Sequence, residues 1–270
     1  MSGAAWGRPR PKAPVAAKAM TAFAFLLIYV PLAALVVYSF LGPSNGPGTP
    51  DAGTLVWYEK VFSNTQILGS LYASLWVGLW STVGATVIGT AAALALERTR
   101  FPGRGVLEGI VHVPLIMPEI VLGLSMLMWF VLLRITLGYF SIILAHITFS
   151  VSYVIITVKA RLHGFDDSLE EAARDLGASP WQVFWRVTFP LIWPGVLSGA
   201  LMAFTLSFDD FLITFFTAGV GSDTLPLKIY SMIKFGVSRE INALSTLMLV
   251  FTFALVMFFF RPSKGVKTVT

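Results

Sequence analysis

Residues 135–158 read ITLGYFSIILAHITFSVSYVIITV and contain no Asp, Glu, Lys or Arg. An α-helix rises about 1.5 Å per residue, so this run is long enough to cross the roughly 30 Å hydrocarbon core of a bilayer. Its apolar residues are continuous rather than alternating, which argues against a strand of a membrane β-barrel. Because backbone polar groups inside lipid must be satisfied within the segment itself, the run predicts a membrane-spanning helix.

Five further apolar runs lie on either side of this one. The six predicted spans cover residues 21–41, 69–96, 109–133, 135–158, 191–220 and 241–260. The third contains one acidic residue, Glu119, and the fifth contains two, Asp209 and Asp210. The predicted fold is therefore an all-α integral membrane protein with six transmembrane helices, in which a single domain at 21–260 lies between tails at 1–20 and 261–270.

The composition excludes several classes of protein. Hydrophobic residues make up 56% of the chain and charged residues only 12%, whereas a soluble domain carries about 25% charged residues. Cys is absent, which excludes disulfide frameworks, thiolate metal sites and a cysteine nucleophile. The formal net charge is +5, but the basic residues are scattered between apolar runs, so membrane orientation explains them better than nucleic-acid binding. The predicted surroundings are a lipid bilayer.

The distribution of Lys and Arg predicts the orientation. An even number of spans places both termini on one side, and that side holds 14 of the Lys and Arg residues against 5 on the other. Because Lys and Arg are enriched in cytoplasmic loops, we expect both termini to lie in the cytoplasm.

The loop at 159–190 is polar, yet its pattern is helical. Ser168 and Glu171 have the spacing of a capping box that would begin a helix. Apolar residues then recur at helical spacing at Leu169, Ala172, Ala173 and Leu176. Gly177 follows, and we expect it to end this helix by adopting a positive φ. A residue with a side chain adopts a positive φ only at an energetic cost.

A second short helix is predicted directly after the first. Ser179 and Gln182 form another capping box around Pro180, and Pro190 would end this helix before the fifth span begins. Two interpretations of the loop remain open: an amphipathic element at the membrane surface, or a helix whose small alanines allow close approach to a cytoplasmic protein.

The loop resembles a motif of ABC importer permeases. Glu171-Ala172-Ala173, then Gly177, then Pro190 match the pattern E-A-A-x-x-x-G-x9-I-x-L-P, with Val187 in place of Ile and Phe189 in place of Leu. The resemblance covers roughly 200 residues, from the second span onward. It implies the type I importer permease fold, with a coupling helix at 159–190 that sits in a groove of an ATPase subunit and is carried by Glu171, Ala172, Ala173, Gly177 and Pro190.

Further stretches resemble the permeases of spermidine/putrescine importers. They are RLHGF at 161–165, FTLSFDD at 204–210, LPLKIYSM at 225–232 and GVSREINALS at 236–245. The resemblance implies a polyamine importer of the bacterial inner membrane. It also implies a partner permease in a heterodimer, two copies of an ABC ATPase subunit and an extracytoplasmic polyamine-binding protein. No cofactor, no metal and no catalytic site of its own is implied, since ATP hydrolysis lies in another subunit.

The acidic residues inside the predicted spans have two possible roles. A charge at the centre of a span costs about 2.5–3.5 kcal/mol on insertion scales, so such residues face a cavity or a partner. Glu119 follows Pro114 and Pro118, which we expect to break or kink the third span. Carboxylates beside aromatic rings would suit a polyamine path, but Glu119, Asp209 and Asp210 could equally be structural.

The two adjacent aspartates cannot play the same part on a regular helix. Successive residues point about 100° apart, so at most one of them faces a shared cavity unless the helix is interrupted. We expect Asp209 to cap a helix that restarts after it, and Asp210 to face the path. The lone histidines at 112 and 146 within or near spans suggest packing residues rather than ligands, and we assign them no role.

Other functions remain as alternatives. An importer permease for a metal ion or a thiamine-like cation fits the same architecture, whereas an anion importer would be expected to place Arg or Lys inside the spans. A cation-coupled secondary transporter would suit intramembrane acids, but six spans without an inverted repeat do not favour it. A membrane enzyme is the least favoured alternative, since the sequence contains no nucleophile–base pair, nucleotide-binding loop or metalloprotease motif.

Overall fold

The computed structural model describes residues 15–42, 53–236 and 238–259, and these residues are almost entirely helical. In chain order the helices are α1 Val15–Ser39, α2 Val56–Ser63, α3 Thr65–Arg98, α4 Arg104–Ile116, α5 Glu119–Leu132, α6 Tyr139–Leu162, α7 Ser168–Asp175, α8 Pro180–Val183, a π-helical turn Phe184–Thr188, α9 Phe189–Asp209, α10 Leu212–Thr217, α11 Leu225–Lys234 and α12 Arg239–Phe259. Within the described residues there is no β-strand, only one isolated bridge between Leu41 and Gly53.

Each predicted span coincides with helical structure. Among the residues that the structure describes, four continuous helices are long and apolar enough to cross a membrane, and the bent pair α4 and α5 raises that number to five. They are Ala16–Ser39, Thr65–Arg98, Tyr139–Leu162 and Pro180–Asp209. At the sixth predicted position the structure has α12, a helix of 21 residues.

The third predicted span is broken, as its prolines indicated. The helices α4 and α5 differ in direction by 113°. Met117 between them has an extended backbone, with φ −70° and ψ 138°, because the ring of Pro118 disfavours a helical conformation in the residue before it. Pro114 lies inside α4 and does not cause the break, so only one of the two prolines acts as expected.

The fifth predicted span differs from the expectation at both ends. At its start, Pro190 does not end a separate helix, because Pro180–Asp209 runs as one helical segment of 30 residues. The π-helical turn just before Pro190 widens the helix, and the N–H of Phe189 bonds to the carbonyl of Phe184. A proline ring clashes with the carbonyl of the preceding turn, and the wider turn relieves that clash without ending the helix.

At its other end, the fifth span is interrupted before residue 220. Asp210 has an extended backbone, with φ −66° and ψ 128°, so α9 ends at Asp209. The short helix α10 starts at Leu212. The region 191–220 is therefore a long helix followed by a separate short one, and not a single span.

Contacts divide the chain into two compact units, and each is described by itself. One contains the described parts of Met1–Ser63 and Val237–Phe251, and the other those of Asn64–Gly236 and Thr252–Thr270. In the first unit, the Ser39 hydroxyl lies 2.7 Å from the Tyr58 hydroxyl, and Trp57 Nε1 donates to the Leu41 carbonyl at 2.7 Å. These bonds fasten the end of α1 to α2.

The second unit is built on α3, α6 and α9, which pack against one another. Two glycines allow the helices to approach closely at Val154. A Cβ atom at Gly89 of α3 would lie 2.7 Å from Val154 Cβ, and one at Gly199 of α9 would lie 3.2 Å from Val154 Cα. Since membrane helices associate through close packing of small residues, these glycines position α6 between its two neighbours. This bundle carries both candidate sites.

Candidate functional site

The first candidate site is the loop 159–190, in which α7 begins differently from the prediction. The N-cap of α7 is Asp167, whose side chain makes no capping bond, and Ser168 is already the first helical residue. The capping box at Ser168 and Glu171 is therefore wrong. Instead, Asp166 Oδ1 accepts the backbone N–H of Ser168 at 3.1 Å, and hydrogen bonding from Ser168 lowers the pKa of Asp166.

The second capping box and the helix-ending glycine are confirmed. Ser179 N–H donates to Gln182 Oε1 at 2.9 Å, and Gln182 N–H donates to Ser179 Oγ at 3.4 Å. Gly177 has φ +85°, a conformation that L-residues adopt at a cost. A Cβ atom there would meet nothing within 4 Å among the described residues, so only the positive φ of Gly177 disfavours a side chain at this position.

The predicted apolar face of α7 is largely uncovered. Leu176 is 89% exposed and Leu169 is 47% exposed, while Ala172 is exposed and Ala173 half-buried. Glu171, Gly177 and Pro190 are exposed as well. The loop thus presents most of the residues of the E-A-A pattern at its surface, together with apolar side chains that the described residues leave uncovered.

One residue of this loop was missed by the sequence analysis. Glu170 is only 6% exposed, and its carboxylate accepts two hydrogen bonds from Arg98, at 2.5 Å from Nη2 and 3.1 Å from Nη1. It also accepts hydrogen bonds from the Thr188 hydroxyl and, at 3.3 Å, from Arg174 Nη2. Because Arg98 and Glu170 are 72 residues apart in sequence, no local pattern could have paired them.

The surroundings of Glu170 favour its charged form. Burial by itself would raise the pKa of Glu170, but the hydrogen bonds from Thr188 and Arg98 and the charges of Arg98 and Arg174 outweigh burial and lower it. A charged carboxylate can be buried at low cost only when hydrogen bonds and opposite charges replace its contacts with water. Two arginines and a hydroxyl group provide these contacts for Glu170.

The second candidate site is a cleft beside the two breaks in the membrane helices. It has a volume of about 270 Å³. Glu119, the first residue of α5, and Asp209, the last residue of α9, both line it. Its other lining residues are mostly apolar, with aromatic rings from Phe149, Tyr153 and Phe211. Two carboxylates from different predicted spans are therefore brought to one cleft with aromatic walls.

Packing between α5 and α10 shapes this cleft. Leu122, Phe149 and Ile213 belong to one buried cluster that joins α5, α6 and α10. A Cβ atom at Gly123 would lie 3.3 Å from Ile213 Cα, so α5 approaches the backbone of α10 closely. Glu119 also occupies the first turn of α5, where the partial positive charge of a helix N-terminus favours an anion.

The expectation that Asp209 caps the following helix is wrong. Asp210, and not Asp209, caps the following helix: its carboxylate accepts the N–H groups of Ile213 at 3.3 Å and Thr214 at 2.7 Å. The Thr214 hydroxyl donates to the same carboxylate at 2.8 Å. Asp210 also lines the cleft, but its side chain is 5% exposed, whereas Asp209 is exposed. Interruption of the helix is what lets neighbouring residues separate in this way.

His146 completes the buried polar network around Asp210, although the sequence analysis assigned it no role. Its Nε2 lies 3.2 Å from Asp210 Oδ2 and 3.1 Å from Thr214 Oγ1. A carboxylate can only accept, so Nε2 carries a proton. Its Nδ1 lies 2.7 Å from the Ser207 hydroxyl, which is 2.9 Å from that of Ser81. The sequence signal for this network was a polar residue, His146, within an apolar run. Burying a polar side chain is costly unless it has hydrogen-bond partners, so such partners were to be expected.

Within the part of the chain that the structure describes, no group of three or more His, Cys, Asp or Glu residues is arranged to hold a metal ion.

Comparison with known families gives a match over most of the bundle. Residues 85–261 match the family described as binding-protein-dependent transport system inner membrane component. The matched region is about two thirds of the chain and contains both the loop 159–190 and the residues that line the cleft.

Individual relatives are similar over nearly their whole length. The chain is 40% identical over 237 residues to the spermidine/putrescine transport system permease protein PotC of Escherichia coli (strain K12), covering 88% of this chain and 89% of that protein. It is 40% identical over 233 residues to the putrescine transport system permease protein PotI of the same organism, covering 83% and 82%. PotC of Haemophilus influenzae is 38% identical, covering 87% and 92%.

Solved structures support the fold. A chain from a bacterial ABC transporter involved in the import of the acidic polysaccharide alginate aligns with a TM-score of 0.70 at 18% identity, covering 91% of this chain and 95% of that one. A chain of the MetNI methionine ABC transporter aligns with a TM-score of 0.56 at 18% identity, covering 72% and 90%. At these identities the likeness concerns the fold alone.

Proposed function

The chain belongs to the family of binding-protein-dependent transport system inner membrane components, and from that premise we propose that it is a permease subunit of an ATP-driven polyamine importer. It is a multi-pass protein of the inner membrane and a transporter component rather than an enzyme. The transported solutes are spermidine and putrescine, and the chain forms half of the path by which they cross the bilayer.

The observation that carries the choice of solute is the identity to two named relatives. The chain is 40% identical to PotC, named for spermidine and putrescine, and 40% identical to PotI, named for putrescine. The cleft gives this choice a chemical basis, because a polyamine has ammonium groups separated by alkyl spacers. Ammonium groups bind carboxylates and the faces of aromatic rings, and the cleft offers both.

Within the cleft, we assign the solute contacts to Glu119 and Asp209. Both line it, and Asp209 is exposed while the carboxylate of Asp210 is occupied by four hydrogen-bonding contacts of α10 and His146. Asp210 remains part of the proposed path as a wall of the cleft, and its main role is to hold the break after α9. This assignment reverses the order in which the sequence ranked the two aspartates.

Transporters of this family work with an ATPase and a binding protein. We propose that the chain pairs with a second, different permease, and that two ATPase subunits bind the pair from the cytoplasm. The ATPase contact is formed by Glu171, Ala172, Ala173, Gly177 and Pro190. All of these except the half-buried Ala173 are exposed, and the uncovered Leu176 lies in the same loop. The solute is delivered by an extracytoplasmic polyamine-binding protein.

This arrangement requires a defined orientation. The loop 159–190 must face the cytoplasm, and with six spans both termini lie on the same side as that loop. We propose six spans between 21 and 260, with the third formed by the bent pair α4 and α5. The excess of Lys and Arg on the cytoplasmic side supports this orientation.

The test is transport by the purified importer. The chain, its partner permease and the ATPase would be reconstituted in liposomes with the binding protein, and labelled spermidine and putrescine uptake would be measured with ATP and with a non-hydrolysable analogue. We expect uptake only with ATP. Uptake driven by an ion gradient without ATP would indicate a secondary transporter, and ATP-dependent uptake of thiamine or a metal ion but no polyamine would indicate another importer.

A further inference from the structure

The helix α7 is not held to the bundle by apolar packing. All eight of its residues are described, and Glu170 is the only one that is buried. The apolar side chains at Leu169 and Leu176 are 47% and 89% exposed. A helix that must receive force from an ATPase therefore needs another attachment to the transmembrane part of its own chain.

The carboxylate of Glu170 supplies that attachment by joining three elements. Arg98 is the last residue of α3 and forms two hydrogen bonds with Glu170. Thr188 is the last residue of the π-helical turn that leads into α9, and its hydroxyl, which is fully buried, donates to the same carboxylate. Since α3 and α9 pack against each other and against α6, Glu170 connects α7 to the core of the bundle.

The geometry of this contact fixes orientation as well as distance. A guanidinium that binds both oxygens of a carboxylate holds the two planar groups in one alignment. The Arg98 guanidinium also lies over the ring of Phe165, 5.3 Å from its centroid, which restricts its other face. Because Arg98 and Thr188 both bind the carboxylate, α7 cannot rotate without breaking these hydrogen bonds.

We propose that Glu170 is a positioning residue that transmits movement of the ATPase-bound coupling helix to α3 and α9. The inference rests on the proposed function, because it requires an ATPase on α7. Glu171, one residue later, is exposed and contacts the ATPase, while Glu170 faces the bundle. The two adjacent glutamates therefore have different roles, since Glu171 receives the movement and Glu170 passes it on.

The experiment measures coupling, which a merely structural residue would not change. Complexes with Glu170→Gln, Glu170→Asp or Thr188→Val, and the control Asp175→Asn, would be reconstituted with the partner permease, ATPase and binding protein. Asp175 is an exposed acid of the same helix, so its change removes a charge without touching the contact. Three quantities would be recorded: ATPase bound per complex, ATP hydrolysed, and polyamine taken up per ATP.

We expect Glu170→Gln to retain the ATPase but to lower uptake per ATP about tenfold, the equivalent of one charge-assisted hydrogen bond. Thr188→Val keeps the side-chain volume and removes one hydrogen bond, so its decrease should be smaller, about threefold. Glu170→Asp retains the charge and should lie nearer to the wild type than Glu170→Gln. Asp175→Asn should match the wild type.

Uptake per ATP at the wild-type value in Glu170→Gln and Thr188→Val would overturn the inference, even if the amount of complex were reduced. If the complex with Glu170→Gln does not assemble, the uptake per ATP of Thr188→Val tests the inference instead. Absence of ATP-dependent polyamine uptake by the wild-type complex would instead contradict the proposed function. In that case Glu170 is still tested by the stimulation of ATP hydrolysis that the loaded binding protein causes. Loss of this stimulation in Glu170→Gln but not in Asp175→Asn supports the inference. Stimulation that persists in Glu170→Gln overturns it.

Discussion

Two pairs of adjacent acidic residues, Glu170-Glu171 and Asp209-Asp210, have the same division of roles in different surroundings. In each pair one carboxylate is buried and bonded while its neighbour is exposed. In the loop 159–190 the buried member, Glu170, is held by arginines. Inside the membrane the buried member, Asp210, is held by backbone N–H groups, Thr214 and His146. The comparison shows that adjacent acids of this chain differ in burial because only one of each pair meets partners that satisfy its carboxylate.

The largest effect is expected from removing the buried acid inside the membrane. Asp210→Ala would remove the acceptor of the N–H groups of Ile213 and Thr214 and one contact of His146, and each buried donor left without an acceptor costs about 1–3 kcal/mol. We expect loss of folded complex, measured as the yield of monodisperse protein in detergent and its thermal unfolding. Asp209→Ala is the matched control and should retain the yield. Equal yields for both variants would show that the two aspartates do not differ as described.

The next effect concerns the exposed acids of the cleft. Asp209→Asn and Glu119→Gln keep the shape of the side chain and remove its charge, so assembly should be retained. Each lost contact with an ammonium group costs about 1.5–3 kcal/mol, which corresponds to roughly a tenfold to hundredfold drop in transport. Uptake of labelled spermidine and putrescine would be compared per complex. Wild-type uptake by both variants would contradict the proposed solute contacts.

A smaller effect is expected at Gly177, beside the exposed Glu171. Its φ of +85° costs a residue with a side chain roughly 1 kcal/mol or more, and the side chain would project toward the ATPase. Gly177→Leu should insert normally but bind less ATPase in a pull-down and support less uptake. Gly164 lies in the same loop, also with open space around it and without a positive φ. Gly164→Leu is therefore the control, and equal loss in both variants would argue against docking at Gly177.

The smallest effect is a pH dependence at Glu170. Its pKa is lowered in the folded protein, so the unfolded chain binds the proton more readily. The stabilising contribution is therefore present above the unfolded pKa of about 4.3 and is lost as the pH falls through the lower folded value. Thermal unfolding of wild type and Glu170→Gln between pH 7 and pH 3 would check this. Their difference should shrink toward the acidic end, and a constant difference would contradict the role of charge at Glu170.

Local signals predicted the break in the third span and the turn at Gly177. Pro118 constrains the backbone of the residue before it, and Gly177 allows a positive φ, and both effects act within one or two residues. The errors arose where a longer-range contact competed. Ser168 was expected to cap α7, but Asp167 occupies the N-cap position. Asp209 was expected to cap α10, but Asp210 accepts the N–H groups at the start of that helix. Pro190 was expected to end a helix, but a π-helical turn before it lets the helix continue through this proline.

The sequence by itself determined the class of the protein, because long charge-free runs can satisfy their backbone groups in lipid only as helices. It also indicated the residues that we propose for the ATPase contact, since their pattern lies within one loop. Only the tertiary structure decided which acid of each pair is buried. Glu170 meets Arg98 from 72 residues away, and Asp210 meets His146 from another helix. Burial of a charge depends on partners that converge in space, and their convergence is set by the packing of α3, α6 and α9 rather than by any local run of residues.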